Sequence, residues 1–138
     1  MEKKDKDLIL LKDLCARLPY GVICKDDYAK VEGKLVQIGI NYDMCLLSDD
    51  YGKTEFAYIP NCKPYLFPLS SMTEEQKKEY NYWKHEIPVC RYEYGDVVEE
   101  IELWDSPESV EYLIENHFDY RGLIPKGLAI DATGLNIY

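Results

Sequence analysis

Hydrophobic positions recur along this chain at two spacings, and the change of spacing marks the change of element. Over 5–18, Leu8, Leu11, Cys15 and Leu18 fall at i, i+3, i+7 and i+10, with Leu10 and Leu14 widening the stripe, which predicts a helix. Pro19 and Gly21 stop it, since the residue before proline leaves the helical region and glycine suits a turn. From there the period falls to two. Strands are expected over 20–25, 28–40, 44–47 and 54–59, with turns at Lys25-Asp26-Asp27, Asn41-Tyr42-Asp43 and Ser48–Gly52. In the second strand Ala29, Val31, Gly33 and Leu35 alternate with Lys30, Glu32 and Lys34, and Gly33 marks a bulge or bend. Four short strands at turn spacing predict a small curled antiparallel sheet, an SH3-like barrel or half-barrel.

Pro60, Pro64 and Pro68, interleaved with Tyr65 and Phe67, make 60–72 an extended connector in this reading. Thr73-Glu74-Glu75-Gln76 is a capping box that opens a helix running to about His85, with Pro88 ending it. A hairpin follows over 89–94 and 97–104, closed by Gly95-Asp96, in which Val97, Ile101 and Leu103 share one face and Glu100 and Glu102 the other. Ser106 as N-cap and Pro107 at the first position open a last helix. Val110, Leu113, Ile114 and His117 form its inner face, and Glu108, Glu111 and Glu115 its outer one. The tail reads as a loop with a short strand near 128–131. The class is α+β, about three helices flanking the sheet, in a single domain over 1–138.

Composition narrows the function. At 138 residues and 46% hydrophobic the chain can bury a core. Sixteen Lys and Arg against 26 Asp and Glu leave a net charge of −10, which disfavours direct binding to nucleic acid or to an anionic membrane surface. No apolar run approaches the roughly 18 residues of a membrane span, and the N-terminus does not read as a signal peptide, so the expected location is the cytosol. Cys15, Cys24, Cys45, Cys62 and Cys90 are odd in number and form no Cys-x-x-Cys, which points to reduced, mostly buried thiols and to no structural metal.

The charge is unevenly placed. Between Arg91 and Arg121 there is no Lys or Arg but ten acids, while the remaining chain balances sixteen against sixteen. Glu99, Glu100, Glu102, Glu108, Glu111 and Glu115 therefore form a candidate partner-binding face for a basic host protein, including one that ordinarily holds nucleic acid, or else the solvated sides of a strand and a helix.

Candidate chemistry mostly fails on spacing. Gly52-Lys53-Thr54 lacks the earlier glycine of a phosphate loop, and His85-Glu86 lacks the second histidine of a zinc helix. With two histidines and no paired nucleophile, no catalytic residue and no cofactor are assigned. The segment 116–127 remains, where Arg121 and Lys126 are each followed by glycine beside Phe118 and Tyr120. Arg121 and Lys126 would meet charge, Gly122 would let backbone approach, and Tyr120 or Phe118 would stack, which suits a small anionic ligand of nucleotide type. The alternative is a structural loop in which Arg121 pairs with Asp119 or with the acidic helix.

Three stretches, 12–23 (KDLCARLPYGVI), 64–80 (PYLFPLSSMTEEQKKEY) and 116–129 (NHFDYRGLIPKGLA), resemble an uncharacterised family of small proteins of gut anaerobes and their phages or prophages. The resemblance implies an accessory or counter-defence role and brings no activity or catalytic residue with it. The expectation is a non-enzymatic binding module that sequesters a small nucleotide-like anion, with an oligomer interface as one place for its pocket. The alternative is an acidic inhibitor module that docks on a basic host protein.

Overall fold

A computed structural model describes residues 2–39, 41 and 43–138. Ile40, at the expected end of the second strand, and Tyr42, in the expected turn, lie outside the described residues. The architecture is α+β and divides into two compact units, Met1–Ser71 with Ile114–Tyr138, and Met72–Leu113. No helix among the described residues is long and apolar enough to cross a membrane.

The first unit opens with α1 (Lys3–Arg17), whose buried residues are Leu10, Asp13, Leu14 and Arg17. The expected stripe is displaced, because Leu8 is half exposed and Cys15 is exposed. The run Leu8-Ile9-Leu10-Leu11 fits two neighbouring stripes equally well. The choice between them rests on a buried Asp–Arg pair that hydrophobic periodicity does not register. Strands β1 (Ile23–Asp26), β2 (Val31–Gly39), β3 (Met44–Ser48) and β4 (Thr54–Tyr58) follow as an antiparallel meander.

Within the expected connector lies a fifth strand, β5 (Cys62–Leu66), which pairs with β1. Its prolines masked it. Pro64 stands opposite Cys24 where the β1 pairing ends, and the pairing with β8 (Ile130–Asp131) begins at Tyr65, so the missing N–H falls between two ladders. The β5–β8 pair is parallel, which makes the sheet mixed rather than wholly antiparallel, in the order β4-β3-β2-β1-β5-β8. A long excursion separates these two strands, and parallel neighbours require such a crossover.

The sheet curls without closing. Cys45 on β3 and Cys62 on β5 are three strand steps apart, about 14 Å in a flat sheet, yet their sulfurs lie 3.9 Å apart. Two features bend it. The register shifts between Leu35 and Gln37, a bulge at Val36, and Gly33 lies so close to β3 that a Cβ there would stand 2.4 Å from the Ser48 carbonyl oxygen. Gly33 is thus the site of close approach, and the bulge sits three residues on. Leu10, Leu14, Leu35, Leu47, Cys62 and Leu66 fill the concave side. Asp26, 1% exposed, accepts hydrogen bonds from the N–H groups of Tyr28 and Ala29 (3.0 Å each) and of Tyr58 (3.2 Å), tying the β1–β2 turn to the end of β4.

In the second unit α2 (Glu74–Trp83) starts at the expected capping box, with Gln76 N–H donating to Thr73 Oγ1 and Thr73 N–H to Gln76 Oε1. It ends before His85, because the chain turns extended at Lys84 and enters β6 (His85–Glu93), which pairs throughout with β7 (Asp96–Trp104). Pro88 is therefore a strand residue, and the two-residue turn is Tyr94-Gly95, both at positive φ, rather than Gly95-Asp96. The last helix, α3 (Pro107–Glu115), is capped as expected: Ser109 N–H donates to Ser106 Oγ at 3.0 Å. Ser106 Oγ in turn donates to the Trp83 carbonyl, and Tyr80 Oη to Asp105, so one polar cluster joins the ends of α2, β7 and α3. His117 lies beyond α3 at φ 64° rather than on its inner face.

Candidate protein-docking surface

A nine-pair antiparallel ladder sorts side chains by parity, since directly opposed residues share a face. His85, Ile87, Val89, Arg91 and Glu93 share one face with Asp96, Val98, Glu100, Glu102 and Trp104. The other face carries Glu86, Pro88, Cys90 and Tyr92 with Val97, Glu99, Ile101 and Leu103. Its apolar residues lie in the open: Val97, Ile101 and Leu103 are 57%, 66% and 43% exposed, and Tyr92 is 83% exposed. Pro88 and Cys90 are exposed beside them. A two-stranded ribbon is marginal alone in water, and an uncovered apolar strand face marks a surface that something else covers.

Carboxylates ring that face. The second unit holds twelve acids and four bases, a net of −8 out of the chain's −10. β7 alone contributes Asp96, Glu99, Glu100 and Glu102 and no base. Of these, Glu100 accepts a hydrogen bond from Arg91 at 2.5 Å and Glu102 one from Trp104 Nε1 at 3.0 Å. Both Arg91 and Glu100 are about half exposed, so their pair contributes little to stability. Glu99 is exposed among the apolar residues, and Glu108 and Glu111 are exposed on α3 in the same unit. Glu115 is also exposed and belongs to the first unit.

The other candidate site, at 116–127, is largely occupied by its own fold. Arg121 Nε lies 3.4 Å from Asp13 Oδ1, and Lys126 Nζ donates to the Arg121 carbonyl at 3.1 Å. Phe118 is 2% exposed and packs on Phe67, so its ring cannot stack on a ligand. Tyr120 is 38% exposed, with the Arg121 guanidinium 5.8 Å from its ring centre. Gly122 takes φ 69° in the turn that brings Lys126 back, which is a conformational need. Asp119 accepts from the N–H groups of Leu123 and Ile124 and so fixes the loop. Clefts of about 770 and 440 Å³ in this unit lie elsewhere, lined by Lys34, Asp49 and Asn136 in one and by Leu46 and Phe56 in the other.

What the periodicity missed is the anchor of that loop. Arg17 is fully buried, with Nε donating to Asp13 Oδ2 and Nη2 to the Phe118 carbonyl, both at 2.7 Å. The i, i+4 spacing of Asp13 and Arg17 was the available signal. His117 stacks on Tyr138 with ring centres 3.7 Å apart, and burial, helped by the nearby Arg17 charge, pulls its pKa down to about 4. Three of the five free thiols are buried (Cys24, Cys45, Cys62) and two exposed (Cys15, Cys90). Hydrogen bonding between the thiols, together with burial, raises the pKa values of Cys45 and Cys62 far above the ordinary range and keeps both protonated and unreactive. Among the described residues no group of three or more His, Cys, Asp and Glu is arranged to hold a metal ion.

No protein-family model, curated protein or solved structure matches this chain.

Proposed function

We propose that the protein is a non-enzymatic docking module that grips a basic protein through the β6–β7 hairpin. The observation that carries this reading is the open apolar face of Tyr92, Val97, Ile101 and Leu103, set among the carboxylates of the most acidic stretch of the chain. Apolar area supplies affinity once covered, and the surrounding charge selects a basic partner and speeds encounter. A protein whose basic face ordinarily holds nucleic acid fits that description. The resemblance to small proteins of gut anaerobes and their phages supports an accessory role such as blunting a host defence, carried out in the cytosol. In this reading the curled meander of the first unit is an SH3-like half-barrel that serves as scaffold. Sequestration of a small nucleotide-like anion by Arg121 and Lys126 draws less support: Arg121 Nε makes no hydrogen bond but lies 3.4 Å from the Asp13 carboxylate, Lys126 donates to the Arg121 carbonyl, and Phe118 is buried.

The test is quantitative co-purification of the full chain from its own kind of host, with a salt series. Wild type is expected to retain a basic protein that is released as salt rises and is lost on Glu99→Lys with Glu102→Lys, while Arg121→Ala retains it. Equal retention by wild type and the charge-reversed variant contradicts the reading, as does a small anion that leaves stoichiometrically on denaturation and is lost with Arg121→Ala.

A further inference from the structure

Resting on that reading, we infer that the hairpin takes its partner by strand addition at the β7 edge, and that the segment it takes alternates basic and apolar residues. The backbone carries the first half of the argument. A two-residue turn makes Glu93 and Asp96 the first hydrogen-bonded pair, so ladder bonds recur at every second pair. The N–H and C=O groups of Val97, Glu99, Ile101 and Leu103 therefore point away from β6, and β7 has no second neighbour in its sheet. On β6 the outward positions are 86, 88, 90 and 92, and Pro88 is one of them. That explains why a proline is tolerated in mid-strand, and it leaves the β6 edge one donor short. Of the two edges, only β7 presents an unbroken row, and such a row is a template for an added strand.

Side chains carry the second half. A strand laid on β7 presents alternate side chains to the two faces of the ribbon. On one face they meet Val97, Glu99, Ile101 and Leu103; on the other they meet Asp96, Val98, Glu100, Glu102 and Trp104. The three apolar side chains of the first row suit apolar residues, and the three carboxylates of the second suit Lys or Arg. A second copy of the same edge is disfavoured, since β7 against β7 would set carboxylates on carboxylates.

The test uses the full chain and two short synthetic peptides of equal composition, one alternating lysine and valine, the other with its lysines and valines in separate blocks. Two variants match each other in chemistry and charge: Glu99→Pro removes an outward N–H from β7, and Glu86→Pro removes one from β6. Amide exchange at Val98 and Glu100 verifies that the ladder persists in both. The alternating peptide is expected to bind about tenfold or more tighter than the blocked one, and Glu99→Pro to lose that preference while Glu86→Pro keeps it. If both peptides bind alike, and binding falls with salt whatever the proline position, strand addition is refuted and acidic docking stands. If neither peptide binds at low salt, docking on basic segments falls as well.

Discussion

With Arg17 fully buried and Asp13 its closest counter-charge, the junction between α1 and the 116–127 loop depends on a single carboxylate that Arg17 and Arg121 both approach. Removing one partner of a buried pair strands the other charge, which costs about 3–5 kcal/mol. Asp13→Ala should lower the unfolding free energy, read from denaturant titration, by that order, and pairing it with Arg17→Leu should recover part of the loss. A cost below about 1 kcal/mol would place the pair outside the core. His117 supplies a pH signature. The unfolded chain takes up its proton below about pH 6.5, the folded chain only below about 4, so stability should fall as pH drops through that window. The partial exposure of the ring holds the loss to about 1–2 kcal/mol. His117→Asn, which tolerates the left-handed backbone, should flatten the slope. A slope unchanged in that variant would assign it to other groups.

At the scale of elements, strands are held by backbone geometry that a hydrophobic pattern reports only in part. Alternation located the meander because its inward residues are apolar; the Thr73–Gln76 capping box located the start of α2, and Ser106 as N-cap with Pro107 that of α3, because their chemistry is local. β5 was hidden by Pro64, and the first four residues of β6 by Pro88, because proline signals a break unless its N–H points away from every ladder. That exemption depends on register, a non-local property. The stripe of α1 was misplaced because Asp13 and Arg17 are polar and buried. Of the two candidate sites, the acids of the hairpin were legible from charge alone. That Phe118 is core was not, and the pairing of Arg121 was legible only as an alternative, with Asp119 or the acidic helix rather than with Asp13, since both depend on contacts with distant parts of the chain. Gly33→Ala tests the curl: its Cβ meets the Ser48 backbone, and the variant should be destabilised by about 1–3 kcal/mol, with a cost near zero contradicting close approach. For the hairpin, amides of Val97, Glu99, Ile101 and Leu103 should exchange faster in the free chain than those of Val98, Glu100 and Glu102. Uniform protection along β7 would mean that its edge is already covered.

For the whole molecule the governing fact is asymmetry of charge. The first unit, 96 residues, carries a net of −2, and the second, 42 residues, carries −8. A chain acidic throughout would need no explanation beyond solubility. Acid gathered on one unit, around an apolar face, concentrates both attraction and affinity in one place. The measurement that tests this most directly is native mass spectrometry of the full chain, gently purified from its own kind of host, beside Glu99→Lys with Glu102→Lys. The account predicts a stoichiometric complex with a basic protein for wild type and a bare chain for the variant. A complex that survives the charge reversal, or a wild-type chain that instead carries a small anion released on denaturation, would contradict it.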